Sequence, residues 1–174
     1  MSETATAVPT PSAAGFALPV RTGHSSLSVA QYIIDLCARS GINSSLTPMQ
    51  VLKLVYLAHG WMLGIHGRPL VSDAIEAWTY GPVIPVLYEA IRRYRSGPVA
   101  AVEGAAPLSL DQAEQDVIAQ VCDIYGRRTG MELSQLTHQE GSPWDQVWSI
   151  LGKSGRMSND IIEQHYRRLS QSPG

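Results

Sequence analysis

The sequence predicts a mainly α fold with a minor β part: a compact helical domain around a buried central helix, with one small β hairpin. Three observations carry this. Residues 48–66 are apolar on almost every side, and such a helix belongs in the middle of its domain. Helix-start residues punctuate the chain ahead of runs with helical spacing. Only residues 69–80 look extended, which makes one ribbon and no sheet core.

The elements follow in order. Residues 1–26, MSETATAVPTPSAAGFALPVRTGHSS, are rich in Ala, Ser, Thr and Pro. They lack the basic start and longer apolar run of a secretory signal and read as a flexible N-terminal tail. A sharper reading makes Phe16 and Leu18 a short docking motif. One domain is expected over residues 27–170, and residues 171–174 read as a loose C-terminus. Ser28 is expected to cap a helix over residues 29–39, ended by Gly41. Thr47 then caps the central helix, with Pro48 at its first position.

On that central helix Gln50, Lys53, Gly60, Gly64 and Gly67 share one stripe. Glycine in a helix interior costs about 1 kcal/mol, so another element should lie close along the stripe. That element is either part of this domain or a partner segment.

Residues 69–71 and 74–80 are expected to pair as the hairpin, with Ser72 and Asp73 between them. Gly81 allows a positive φ, Pro82 fixes the next step, and Pro85 opens a helix with Leu87, Ala90, Ile91 and Tyr94 on its apolar stripe. Residues 96–108, SGPVAAVEGAAPL, read as a mobile loop. Ser109 or Asp111 caps the next helix, to about residue 127. Thr129 or Gly130 precedes a short helix over 132–137. Ser142 with Pro143 opens another, anchored by Trp144, Val147 and Trp148. Ser158 caps the last, with Ile162 and Tyr166 facing inward.

Composition narrows function. The chain has 174 residues, 44% hydrophobic and 16% charged, with a formal net charge of -2. That is enough for one core. No overall basic field attracts nucleic acid, and no apolar run reaches the ~18 residues of a membrane span. Cys37 and Cys122 are not in a CxxC spacing and read as reduced, buried thiols of a cytoplasmic protein.

The search for chemistry yields little. His59 and His66 are seven apart without HExxH; His59 lies among Leu52, Val55 and Leu63 and reads as a buried, hydrogen-bonded histidine, with no metal site and no cofactor expected. His138 and Glu140 could form an acid/base pair, the basis of a hydrolase alternative, but no nucleophile accompanies them. Neither Cys37 nor Cys122 is expected to have a basic neighbour that would mark an activated thiol. Arginines cluster at helix ends: Arg92, Arg93 and Arg95; Arg127 and Arg128; Arg167 and Arg168. Their structural role is to complement helix dipoles. Their functional role would be a patch for an acidic partner or, as a DNA-binding autoregulator, for a promoter.

LKLVYLAHGW at 52–61, RPL at 68–70, EAWTYGPV at 76–83, LYE at 87–89, IYG at 124–126 and ELSQLTHQEGSPW at 132–144 occur in a fixed order. Together they resemble the Panacea, or SocA-like, antitoxin domain, over roughly residues 28–167. The resemblance implies a small helical antitoxin without catalytic activity, encoded beside its toxin. It implies a cognate protein toxin as partner and, for SocA-type members, an adaptor that presents the toxin to the ClpXP protease. The matching positions Lys53, Tyr56, His59, Gly60, Trp61, Trp78, Tyr80, Gly81, Pro82, Thr137, His138, Glu140 and Trp144 are expected to build mostly scaffold. The expected partner-binding surface is Trp78, Tyr80 and Tyr88, extended by Arg92, Arg93 and Arg95.

Overall fold

The computed structural model describes residues 22–172, which form seven α-helices and three short strands. In order they are α1 (Ser26–Arg39), α2 (Pro48–His66), β1 (Ile75–Trp78), β2 (Gly81–Val83), α3 (Pro85–Ile91), α4 (Gln112–Tyr125), α5 (Gly130–Thr137), α6 (Pro143–Leu151), β3 (Gly155–Met157) and α7 (Asn159–Gln171). A 3-10 turn, Arg92–Tyr94, continues α3. The mainly α architecture is the one the sequence predicts.

Helix α2 is the central rod. Its start follows from sequence: Thr47 Oγ1 accepts from Gln50 N, and Gln50 Oε1 accepts from Thr47 N, the reciprocal pair of a capping box. Gly67, at φ +66°, ends it in the left-handed conformation that glycine adopts without steric cost. Val51, Leu54, Val55, Leu57, Ala58, Met62 and Leu63 are all buried. Helices α1, α3, α4, α5 and α7 pack around them.

The glycine stripe is filled from within the domain. A Cβ at Gly60 would sit 2.4 Å from the Tyr166 ring, and one at Gly64 2.6 Å from the Tyr166 backbone. Helix α7 therefore lies almost backbone to backbone on α2. Tyr166 packs edge-on against Tyr56 (6.2 Å between centroids) and Trp61 (5.1 Å).

The sheet differs from expectation. Residues 69–71 do not pair with 74–80. Strand β1 turns back through Thr79 and Tyr80 onto β2, with Trp78 opposite Gly81 and Glu76 opposite Val83. Its other edge pairs with β3, so the order is β2-β1-β3. Pro82 is tolerated because β2 is an edge strand. Val71 instead bridges His24 in parallel.

That bridge also moves the start of the fold. The tail expected over residues 1–26 lies outside the described residues up to residue 21, as do Phe16 and Leu18. Beyond them His24 and Ser26 are docked: Ser26 N donates to Asp73 Oδ2 at 2.8 Å. Ser25 caps α1, three residues before the expected Ser28. Ser28 Oγ instead accepts from Ala106 N.

That contact belongs to a second correction. Residues 96–108, expected to move, are strapped across α1. Val99 N donates to Leu46 O, Val102 N to Gln31 Oε1, and both valines are buried. Gly/Ala/Pro content does not reveal acceptors supplied from a distant helix. Asp111, Thr129, Ser142 and Ser158 each cap their helix. Arg68 grips the start of α4 through Glu114 Oε1 (2.9 Å) and Asp111 Oδ2 (2.6 Å), locking the α2–β1 connection to it. Among the described residues no helix is long and apolar enough to cross a membrane.

Candidate partner-binding face

The β1–β2 hairpin leans over the first half of α2. Between them lies a groove of ≈ 340 Å³, lined by Met49, Leu52, Lys53, Trp78, Tyr80, Val83, Tyr88, Arg95 and Lys153, among others. Trp78, Tyr80 and Tyr88, 65 to 75 residues from the far rim at Lys153 in sequence, are thus collected on one surface by the hairpin and α3.

Each wall has a local cause. Trp78 is held from both ends: its Nε1 donates to Glu76 Oε2 at 2.8 Å, and its carbonyl accepts from Trp144 Nε1 at 2.6 Å. Tyr88 meets its ring edge-on at 5.0 Å. Tyr80, at the hairpin tip, is 59% exposed, yet Ser134 Oγ fixes its carbonyl at 2.6 Å. The aromatic side chains are therefore presented by a rigid backbone.

The floor carries an ionisable amine. Lys53 is 1% exposed, and its Nζ donates to Pro82 O at 2.8 Å. Burial lowers its pKa to about 7, because a cation there lacks water. Gly81, at φ +111°, is required twice over. An L side chain rarely adopts that φ, and a Cβ would sit 3.0 Å from Lys53 Nζ and 3.1 Å from Thr137 Oγ1.

The arginine trio separates. Arg95 lines the groove. Arg92 pairs with Glu89 at 3.1 Å and Arg93 with Glu103 at 3.6 Å, all exposed. Sequence reasoning placed Lys53 in the scaffold and overlooked Lys153. The lysine's position opposite Gly81-Pro82 depends on a contact 29 residues away. Lys153 arrives through the turn into β3, a strand of three residues with no period to detect.

The remaining motif residues are internal supports. His59 Nδ1 accepts from the backbone N–H of Leu70 (3.3 Å) and Val71 (3.2 Å), so Nε2 carries the proton and donates to Asn159 Oδ1 at 2.9 Å. Burial lowers its pKa to about 4. It is the buried, hydrogen-bonded histidine expected. Thr137 Oγ1 donates back to Leu133 O at 2.9 Å. His138 packs on Trp144 (5.2 Å), with Nδ1 3.4 Å from Ser134 Oγ. Glu140 is exposed. Among the described residues no hydrogen bond or ion pair joins His138 to Glu140, and no three His, Cys, Asp or Glu side chains gather as metal ligands would.

Two further features bear on reactivity and binding. Cys37 and Cys122 are both buried and meet each other. The Cys122 hydrogen bond and the nearby Arg127 charge lower the pKa of Cys37, while that of Cys122 is raised. Arg127 is thus a basic neighbour that the sequence did not reveal. A smaller hollow of ≈ 130 Å³ between α2 and α4 is lined by Trp61, Ile65, Val117 and Ile124, and carries no charge.

Comparison with known proteins gives a consistent picture. The family model "Antitoxin SocA-like, Panacea domain" matches residues 51–145. "Antitoxin SocA" of Caulobacter vibrioides (strain NA1000 / CB15N) is 31% identical over 156 residues, which is 80% of this chain and 81% of that one. No solved structure matches. The matched span contains α2 from Val51 onward, the hairpin and α3, and hence most of the groove lining.

Proposed function

This chain belongs to the SocA-like, Panacea-domain antitoxin family, and we propose that it neutralises a protein toxin by direct contact through the groove face. The observation that carries this reading is the groove itself. Its aromatic walls, Trp78, Tyr80 and Tyr88, are open to a partner and rigidly held. Protein interfaces concentrate their binding energy in such aromatic and arginine anchors. A stable interface needs about 800 Å² per partner. The groove supplies its centre, and exposed Arg95 and Lys153 supply its charged rim.

The toxin in this reading is encoded beside the antitoxin and meets it in the cytoplasm. The role is adaptor-like and not enzymatic. One surface holds the toxin while another part of the chain engages ClpXP. Catalysis by His138 and Glu140 is the weaker reading, because one is packed on Trp144 and the other faces solvent unpaired with it. Promoter binding through Arg92 and Arg93 is weaker too, since both are engaged by carboxylates.

Co-expression tests the reading. The adjacent gene product should be toxic alone, co-purify with this protein, and be tolerated in its presence. Its half-life should fall in cells with ClpX and recover in cells without it. Toxicity unrelieved by this protein, with no co-purification, would sink the antitoxin role. Relief with an unchanged toxin half-life would sink only the adaptor role.

A further inference from the structure

The feature left unexplained by packing is Lys53. A lysine at 1% exposure is rare, because burying an ammonium is costly unless it is paired. An ammonium has three N–H donors. Among the described residues, Lys53 Nζ makes one hydrogen bond, to Pro82 O. Joining α2 to β2 by that bond is a structural duty, and it leaves donors to spare. The lining of the groove, among the described residues, holds three cations, Lys53, Arg95 and Lys153, and no carboxylate. Around them stand the apolar surfaces of Met49, Leu52, Trp78 and Val83. A hollow with greasy walls and positive charge only is complementary to an apolar ligand bearing a negative charge.

We propose that the groove receives an acidic side chain of the toxin, flanked by an apolar residue, and that its carboxylate pairs with Lys53 while Arg95 and Lys153 guide it in. This rests on the antitoxin reading above and names the chemistry of its contact. Exposed Arg95 and Lys153 act at the rim, on the association rate; the pair with Lys53, sealed from water, governs dissociation. Burial lowers the pKa of Lys53 to about 7, so without a partner it is only partly charged at physiological pH, and a carboxylate restores its full charge. The surroundings add no competing acid: α2 has no other Lys, Arg, Asp or Glu, β2 brings the Pro82 carbonyl, α5 the Thr137 hydroxyl, and the rim the phenols Tyr80 and Tyr88.

The test titrates the adjacent gene product into the full-length protein by calorimetry, with thermal melts of each variant. Lys53→Met keeps length and removes charge. It should leave the melting temperature unchanged or raised and weaken binding roughly 30-fold or more. Lys153→Ala should weaken binding by less and act mainly on the association rate. Should Lys53→Met fail to fold, the wild type still decides. In two buffers of different ionisation enthalpy at pH 8.5, where histidines are neutral, binding should take up close to one proton. Wild type and Lys53→Met binding equally, or no proton uptake, overturns the carboxylate pair and leaves the antitoxin reading standing. No binding by the wild type removes both. A dimer in light scattering that Lys53→Met converts to monomer assigns the groove to a second copy of this chain and also overturns the proposal.

Discussion

Helix α2 presents two surfaces built on opposite rules, one on each half of a single stripe. Toward α7 it removes side chains: Gly60 and Gly64 bring Tyr166 into van der Waals contact with the helix backbone, and no space remains. Toward the hairpin it keeps long side chains, Met49, Leu52 and Lys53, and leaves a groove of ≈ 340 Å³ above them. The first face spends glycine on rigidity. The second carries a buried cation, which disfavours folding. The difference teaches how a small domain can hold an open site. The groove does not collapse because its walls are pinned by Trp144 and Ser134.

The closed face should break most severely. Gly64→Ala forces a methyl against the Tyr166 backbone, which cannot rotate away. A loss of about 3 kcal/mol or more in urea unfolding is expected. Gly41→Ala is the control. No atom lies within 4 Å of its Cβ position, and only its φ of +68° opposes the change, for about 1 kcal/mol. Equal costs at the two sites would contradict the close helix contact.

His59 sharpens the comparison because it joins α2 to both the approach to β1 and the start of α7. Its folded pKa of about 4 lies below the ordinary histidine value of 6.5, so the unfolded state binds more protons between them. This contribution is fully present above pH 6.5 and is lost as pH falls toward 4, by ~3 kcal/mol in all. His59→Gln should flatten the stability profile in that window, as read from unfolding at successive pH values.

The open face should yield selectively in binding. Tyr80→Ala removes an exposed ring, so stability should change by less than about 0.5 kcal/mol, while affinity for the toxin falls about tenfold. Arg92→Ala, whose ion pair is exposed, should alter affinity by less than about threefold. A larger effect at Arg92 than at Tyr80 would move the interface from the groove to the outer surface of α3.

The closed face was legible in the sequence and the open one only in part. An all-apolar helix with an aligned glycine stripe dictates burial and close approach, and Gly60 and Gly64 meet α7 as that pattern requires. Caps at Thr47, Asp111, Thr129, Ser142 and Ser158 are local chemistry, readable within four residues. Trp78, Tyr80 and Tyr88 were legible as a group because the hairpin and α3 follow directly in the chain. The pairing of β1 with Gly155–Met157 was not. Its register depends on partners about 80 residues apart, and Ser154, at φ +65°, carries no glycine signal. Lys53 hid for a related reason: inside an apolar helix it reads as part of a stripe, and only its position beneath Gly81 and Pro82 makes it a floor.

Hydrogen exchange on the complex with the co-encoded toxin tests the central claim most directly. Binding through the groove should slow exchange over the β1–β2 hairpin, α3 and the turn around Lys153, and leave the solvent side of α4 unchanged. Protection confined to α4 and the Trp61–Ile124 hollow, with the hairpin exchanging as in the free protein, would contradict it.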